Sequence, residues 1–194
     1  MANVSAFRDS SLSENTCIIN LNQLSSLIQQ WTESVNDLVL ACKQVSDAHR
    51  DLSCLSSIQH LPPDLDRDLW LNSLKLKLGS SVERSFDLMS RLRSITLDVF
   101  EAIEVLEREL CSIARTRKAQ NNWTQLSWCT SLIGQFRSAL ANECDAIGLY
   151  HMRTVFANDE VHIPSTPLVF EPDLPVISKL WSESYLPAFR ILVP

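Results

Sequence analysis

The sequence predicts an all-α protein: an elongated antiparallel bundle of three long, coiled-coil-like helices with a proline-rich C-terminal tail and one short helix. Three observations carry this. Apolar residues recur at alternating spacings of three and four over three long stretches, which keeps them on one side of a helix. Those stretches lack proline, whereas Pro164, Pro167, Pro172, Pro175, Pro187 and Pro194, six of the 8 prolines, gather at the C-terminal end. Glycine is scarce, at 3 in 194 residues. The expected organisation is a flexible N-terminus over 1–18, the bundle over 19–156 and the tail over 157–194.

The first stripe runs Leu21, Leu24, Ile28, Trp31, Val35, Leu38, Cys42, Val45, His49 and Leu52. Its regular step through roughly four heptads is the coiled-coil pattern. The residues between, such as Gln29, Gln30, Glu33, Asp37, Lys43 and Arg50, suit a solvated face. Pro62 and Pro63 then stop the helix, since neither can continue it.

Asp64 or Asp66 offers an N-cap for the second helix. Its stripe is Leu71, Leu74, Leu78, Val82, Phe86, Met89, Leu92, Thr96, Val99, Ile103, Leu106, Leu110 and Ile113, and no proline interrupts 65–118. Leu76, Leu88, Ile95, Leu97 and Phe100 widen the apolar face beyond a two-stranded seam. A face this wide needs more than one neighbour. Hence at least three helices are expected, and a partner helix from another subunit.

Asn122 or Thr124 can cap the third helix. Its stripe is Leu126, Cys129, Ile133, Phe136, Leu140, Ile147 and Tyr150. Glu143 stands where an apolar residue is wanted, and Cys144 beside it can take that place. Gly134 and Gly148 leave room for close approach by a neighbour. In the tail, Asp173 and Pro175 suit the first turn of a short helix over 176–183, whose sticky face is Val176, Ile177, Leu180 and Trp181. The apolar end, Tyr185 to Val193, either folds back on the bundle or docks on a partner.

Charge and motifs narrow the function. The net charge is −6, which disfavours attraction to a phosphate backbone, so direct nucleic-acid binding is not expected. The basic run Arg115, Arg117, Lys118 is read chiefly as a helix C-terminus facing the negative end of its dipole. Glycine is too sparse for a phosphate-cradling loop or a nucleophile elbow. The 6 cysteines form no C-x-x-C pair, and the histidines lack zinc-ligand spacing. No Glu is followed by a His three residues on, as a di-iron bundle requires. Glu101, Glu104, Glu107 and Glu109 read as a solvated face. The expectation is a non-enzymatic protein with no catalytic residue, cofactor or metal. Free thiols and the lack of a signal peptide or an apolar span point to a soluble intracellular protein that binds no membrane.

Five tryptophans remain. Trp31 sits in the first seam, where a core role is the structural alternative to an interface one. Trp70, Trp123 and Trp181 lie near helix ends, where aromatics either close the bundle or anchor a partner. The candidate partner-binding residues are Trp31, Trp123, Leu180, Trp181 and Tyr185.

These residues also carry a resemblance. Leu27-Ile28-Gln29-Gln30-Trp31 with Asn36-Asp37 resembles the N-terminal stretch of the cyclin-dependent-kinase-interacting family CINP. The third helix is similar, with Trp123, Trp128, Leu132, Phe136, Leu140 and Glu143. The close, Ile177-Ser178-Lys179-Leu180-Trp181 with Tyr185, resembles that family's Leu-x-x-Trp and nearby Tyr. The chain differs in having Ser184 before Tyr185, and only Arg137 and Arg153 as cations in the third helix. Leu61-Pro62-Pro63-Asp64-Leu65 and Trp181 are similarly placed in the ribosome-maturation family AIRIM. The resemblance implies an adaptor subunit for DNA replication, genome maintenance and ribosome biogenesis, nuclear and also cytoplasmic. The implied partners are AAA+ ATPase subunits, a paralogous helical subunit, and cyclin-dependent or checkpoint kinases, in a hetero-oligomer. A generic coiled-coil subunit of a tethering or cytoskeletal assembly is the alternative that the heptads alone permit.

Overall fold

A computed structural model describes residues 3–58, 66–117, 123–157 and 176–192, with side chains over 16–58, 66–112, 127–157 and 177–190. Helix α1 spans Asn3–Ser57, α2 Arg67–Arg117 and α3 Trp123–Val155. The last stretch is helical throughout: α4 is Val176–Leu180, a π-helical turn covers Trp181–Tyr185, and α5 is Leu186–Leu192. Among the described residues only Ile58, Asp66, Phe156 and Ala157 lie outside a helix, and there is no strand. No helix of the described residues is long and apolar enough to cross a membrane.

Each boundary has a local cause. Asp66 is the N-cap of α2: its Oδ1 accepts the backbone N–H of Asp68 at 3.0 Å and of Leu69 at 3.3 Å. These are the orphan donors of a first helical turn. Asp64, the other candidate cap, lies outside the described residues, as do Asn122 and the 158–175 part of the tail. Helix α1 starts at Asn3, well before residue 19. With no Pro or Gly in its 55 residues, nothing stops an established helix from propagating through the polar segment, because each added residue gains one hydrogen bond. The final helical stretch also outruns its expected end at Glu183.

The chain divides into two compact units. The first comprises Met1–Thr32, Ser94–Cys144 and Asp173–Pro194, and the second Glu33–Arg93 and Asp145–Pro172. In the first, the buried residues are Cys17, Leu21, Leu24, Ile28 and Trp31 of α1, Ile95, Val99, Ile103, Leu106 and Leu110 of α2, and Cys129, Ile133, Phe136 and Leu140 of α3. These follow the predicted stripes, and each large side chain so buried contributes about 1.5–3 kcal/mol. Arg137 ties α3 to α2, donating to Glu104 Oε1 at 3.1 Å with its guanidinium 5.9 Å from the Phe100 ring centre. Exposed pairs of this kind add at most about 1 kcal/mol.

In the second unit the core is Val35, Leu38, Ala41, Cys42, Val45, Ala48 and Leu55 of α1, Met89 and Leu92 of α2, and Ile147 and Val155 of α3, with Ser34, Ser85 and His151 buried among them. Here the stripes depart from the simple heptad. Ala48 and Leu55 are buried while His49 and Leu52 are only partly so, and Ser85 replaces Phe86 in the interior. An ideal helix drifts about 20° per heptad against a 3.5-residue repeat, so a straight seam passes to neighbouring positions. Neither glycine of α3 is required for close approach. A Cβ on Gly148 would meet only Met89 Cε, at 3.7 Å, and one on Gly134 nothing within 4 Å.

Removing the Asp66 cap is expected to destabilise the protein without altering its fold. Asp66→Ala should lower the unfolding free energy by about 1 kcal/mol, and Asp66→Ser should restore most of it, as read from urea denaturation followed by circular dichroism.

Candidate functional site

The C-terminal helical stretch is a hook on the first unit. Ile177, Trp181, Tyr185, Ala188 and Phe189 are buried, at spacings close to four. In an α-helix residues four apart drift by about 40° per step. The wider π turn, in which the Leu186 N–H reaches the Trp181 carbonyl, brings them back onto one face. It also stands directly before Pro187, which lacks an N–H and would clash with the carbonyl four residues earlier in a regular α-helix. The same turn thus accommodates the proline and aligns the aromatics.

Those aromatics converge on Phe136 of α3. Its ring centre lies 5.2 Å from that of Trp181 and 5.1 Å from that of Tyr185, and Trp181 is 6.0 Å from Phe189. Tilted and edge-on pairs of this kind add about 0.5–1.5 kcal/mol each beyond area burial. The polar edge of Trp181 is satisfied too, its Nε1–H donating to Ser25 Oγ at 3.0 Å. Ser25 passes its own proton to the Leu21 carbonyl at 2.8 Å. Burial pushes the Tyr185 hydroxyl pKa upward.

Three of the five candidate partner-binding residues are therefore engaged inside the first unit. Trp31 is buried in the α1 seam, its Nε1–H donating to Thr96 Oγ1 at 3.0 Å. Trp181 and Tyr185 are buried in the hook, so this end of the chain folds back on its own helices in this structure. Leu180 is half-buried. Trp123 opens α3, and its side chain lies outside the described residues.

The second unit holds a polar core pair that sequence reasoning missed. His151 Nε2 lies 3.1 Å from Ser85 Oγ, both residues fully buried, with Phe86 edge-on to the imidazole at 5.0 Å. Ser85 Oγ also lies 2.7 Å from the Val82 carbonyl, and which of Ser85 and His151 donates across their contact is set by the imidazole tautomer. Burial first, and the Arg93 charge second, push the His151 pKa down. The signal in the sequence was a four-residue step from Ile147 to His151 along the α3 stripe.

The three buried thiols are held protonated. Burial holds Cys42 and Cys129 at about 11, and burial with the nearby Glu109 and Cys129 holds Cys17 at about 11. A thiol kept protonated is a poor nucleophile. Glu107 and Glu109 are half-buried, unlike the exposed Glu101 and Glu104, so the run is not a uniformly solvated face. Glu143 is also half-buried, and burial raises its pKa. Among the described residues no group of three or more His, Cys, Asp or Glu is placed to hold a metal ion.

The second unit also leaves large apolar side chains in solvent. Leu69, Trp70, Leu76 and Phe86 of α2, and Leu149 and Met152 of α3, are exposed, and Leu71, Leu74, Leu78 and Val82 are only half-buried. As α3 advances from Gly148 to His151, its contacts on α2 retreat from Met89 to Ser85 and Phe86. Helix α3 then ends at Val155. No family model, characterised protein or solved structure matches the chain.

Two outcomes follow from the buried groups. Unfolded His151 takes up a proton near 6.5 while the native ring resists it, so the unfolded state binds more protons and stability falls as pH drops through 6.5. Glu143 acts with the opposite sign: its native carboxyl takes up a proton above the ordinary 4.5, so it adds stability as pH falls toward 4.5. The unfolding midpoint should therefore fall between pH 7.5 and pH 6, and His151→Gln should flatten that slope. At pH 8 a disulfide-exchange thiol reagent should label exposed Cys54 rapidly and leave Cys17, Cys42 and Cys129 until the protein unfolds.

Proposed function

We propose that this chain is a non-enzymatic adaptor subunit, its three long helices forming an elongated antiparallel bundle that binds partner proteins through exposed helical faces. The observation that carries the reading is the exposure of Leu69, Trp70, Leu76, Leu149 and Met152 on the second unit. Large apolar side chains left in solvent are natural contact points for another molecule. The hydrogen bonds of Ser85, His151, Trp31 and Thr96 between neighbouring helices suit a structural use of these side chains. The aromatic hook then serves the chain itself by stabilising the first unit, on which Ile19, Leu97 and Trp128 are exposed as well.

The setting follows the resemblance to CINP and AIRIM. In this reading the chain joins an AAA+ ATPase assembly with a second small helical subunit, in the nucleus and cytoplasm, serving replication, genome maintenance and ribosome maturation. Its contribution is positional: it holds the ATPase or a kinase near its substrate.

The test is affinity purification of the tagged full chain from its own cells, with mass spectrometry. Recovery in equal amounts of AAA+ ATPase subunits and a second small helical protein is expected. Recovery of cytoskeletal or tethering proteins alone would overturn the assignment to that assembly, and recovery of no stable partner would overturn the adaptor reading itself.

A further inference from the structure

The first unit covers one of its interhelical grooves with the hook, which lies against Phe136 of α3 and Ser25 of α1. A second groove, of about 400 Å³, runs between α1 and α2. Leu27, Ala102 and Val105 are half-buried along its floor, and Asn20, Gln23, Asp98 and Glu101 stand around them. Leu97 lies one turn before Glu101 and Ile19 one turn before Gln23, so each shares a side of its helix with a lining residue. Both are in solvent, Leu97 69% and Ile19 63% exposed. Helix sides keep their backbone bonds internal and offer nothing for an added strand to pair with, so a groove of this kind takes a helix.

Charge selects which helix. Helix α1 has no charged residue over 16–32, and α2 carries Asp98, Glu101, Glu104 and Glu107 with no cation over 94–107. Glu104 is paired with Arg137 of α3. Arg108, which lines a separate pocket with those two, donates its Nε–H to the Glu104 carbonyl at 3.3 Å. Arg91 and Arg93, the preceding cations of α2, are outside the spacings of three and four at which side chains on one helix meet Asp98 or Glu101. Asp98 and Glu101 form no ion pair among the described residues. Two such carboxylates beside low-dielectric walls focus a negative potential into the groove. A Lys or Arg stem can lie over an apolar floor while its head reaches a carboxylate rim, and the amide oxygens of Asn20 and Gln23 can accept its further N–H donors.

We propose that this groove seats one helix of a partner protein, apolar on the face it buries and flanked there by Arg or Lys. Nucleic acid and anionic lipid are repelled by the same carboxylates. A second copy presenting this face sets Asp98 and Glu101 against their own equivalents, and a small polycation leaves Leu97 and Ile19 uncovered. The inference rests on the adaptor reading, and it names a surface on the first unit and the chemistry of its partner.

The test uses the full chain and two labelled synthetic helices of about four heptads with Leu at the seam positions, one flanked by Arg and the other by Glu. Fluorescence anisotropy should show the Arg peptide binding at least about tenfold tighter, with the preference shrinking as salt is raised. Asp98→Asn with Glu101→Gln should weaken the Arg peptide by about tenfold, and Asp98→Lys with Glu101→Lys should reverse the preference. Leu97→Ser should weaken it several-fold. Asp37→Asn with Glu183→Gln removes the same net charge at exposed positions that do not line the groove, and should leave the affinity unchanged. Every substituted side chain is exposed, so the unfolding temperatures should stay near that of the wild type.

Equal affinity for the two peptides, or wild-type affinity in Asp98→Asn with Glu101→Gln, overturns the proposal. An equal loss in Asp37→Asn with Glu183→Gln does the same, since it reduces the preference to net charge. Self-association that Leu97→Ser abolishes assigns the face to a second copy. Spermine bound as tightly as the Arg peptide, and lost with Asp98→Asn and Glu101→Gln, assigns it to a small polycation. Either result overturns the partner helix. If tagged wild type and Asp98→Asn with Glu101→Gln recover the same cellular partners equally, the adaptor reading stands and this groove falls. If wild type recovers none, the adaptor reading itself fails, and this inference with it.

Discussion

A helix can bury only as much apolar surface as its neighbours can cover, and this constraint governs the structure. The second helix is apolar over a face too wide for one partner. In the first unit α1, α3 and the C-terminal hook all supply buried residues, and Val99, Ile103, Leu106 and Leu110 are fully covered. In the second unit α3 contributes only 145–155 of its length. There Leu71, Leu74 and Leu78 are half-buried, and Leu69 and Leu76 stand in solvent. The same kind of stripe is thus a core in one unit and a surface in the other, and the difference lies in what is available to cover it.

The hook illustrates how backbone and side chains must agree. Proline at 187 forbids a regular α-helical bond to the turn before it, and four aromatics or aliphatics spaced by four would fan around a regular helix. One π turn answers both conditions, since it widens the backbone ahead of Pro187 and resets the rotation between Ile177 and Phe189. Burial of the Trp181 indole then depends on Ser25, which accepts its N–H from α1. An indole N–H buried without such an acceptor would forfeit about 1–3 kcal/mol, so Ser25 is as much a part of the hook's seat as Phe136.

Much of this was legible in the sequence. The three long helices, the Asp66 cap and the stripe of α1 from Leu21 to Val45 follow from spacing and from the placement of proline, because helix periodicity is a property of the chain itself. The two-unit division was not legible, since a continuous heptad says nothing about where neighbours begin and end. Ser85 and His151 escaped for a related reason: each is polar, and only the tertiary pairing makes either a core residue. The π turn was not legible: the short helix is expected to end at Glu183, whereas a local change of winding ahead of Pro187 lets the helix run on. For Trp31 the sequence offers a core or an interface role, and for Trp181 and Tyr185 folding back or docking on a partner; in this structure both indole N–H groups and the Tyr185 ring are engaged within the first unit.

The buried polar contacts bear on helix register. Trp31 to Thr96 in the first unit and His151 to Ser85 in the second each join two helices through a polar contact. Sliding either helix pair by one turn would strand both groups, at a cost of about 1–3 kcal/mol each, whereas an all-aliphatic seam would lose much less on the same slip. Register is therefore specified more strongly than stability alone requires. In the second unit that register is held by Ser85 and His151, both buried between α2 and α3.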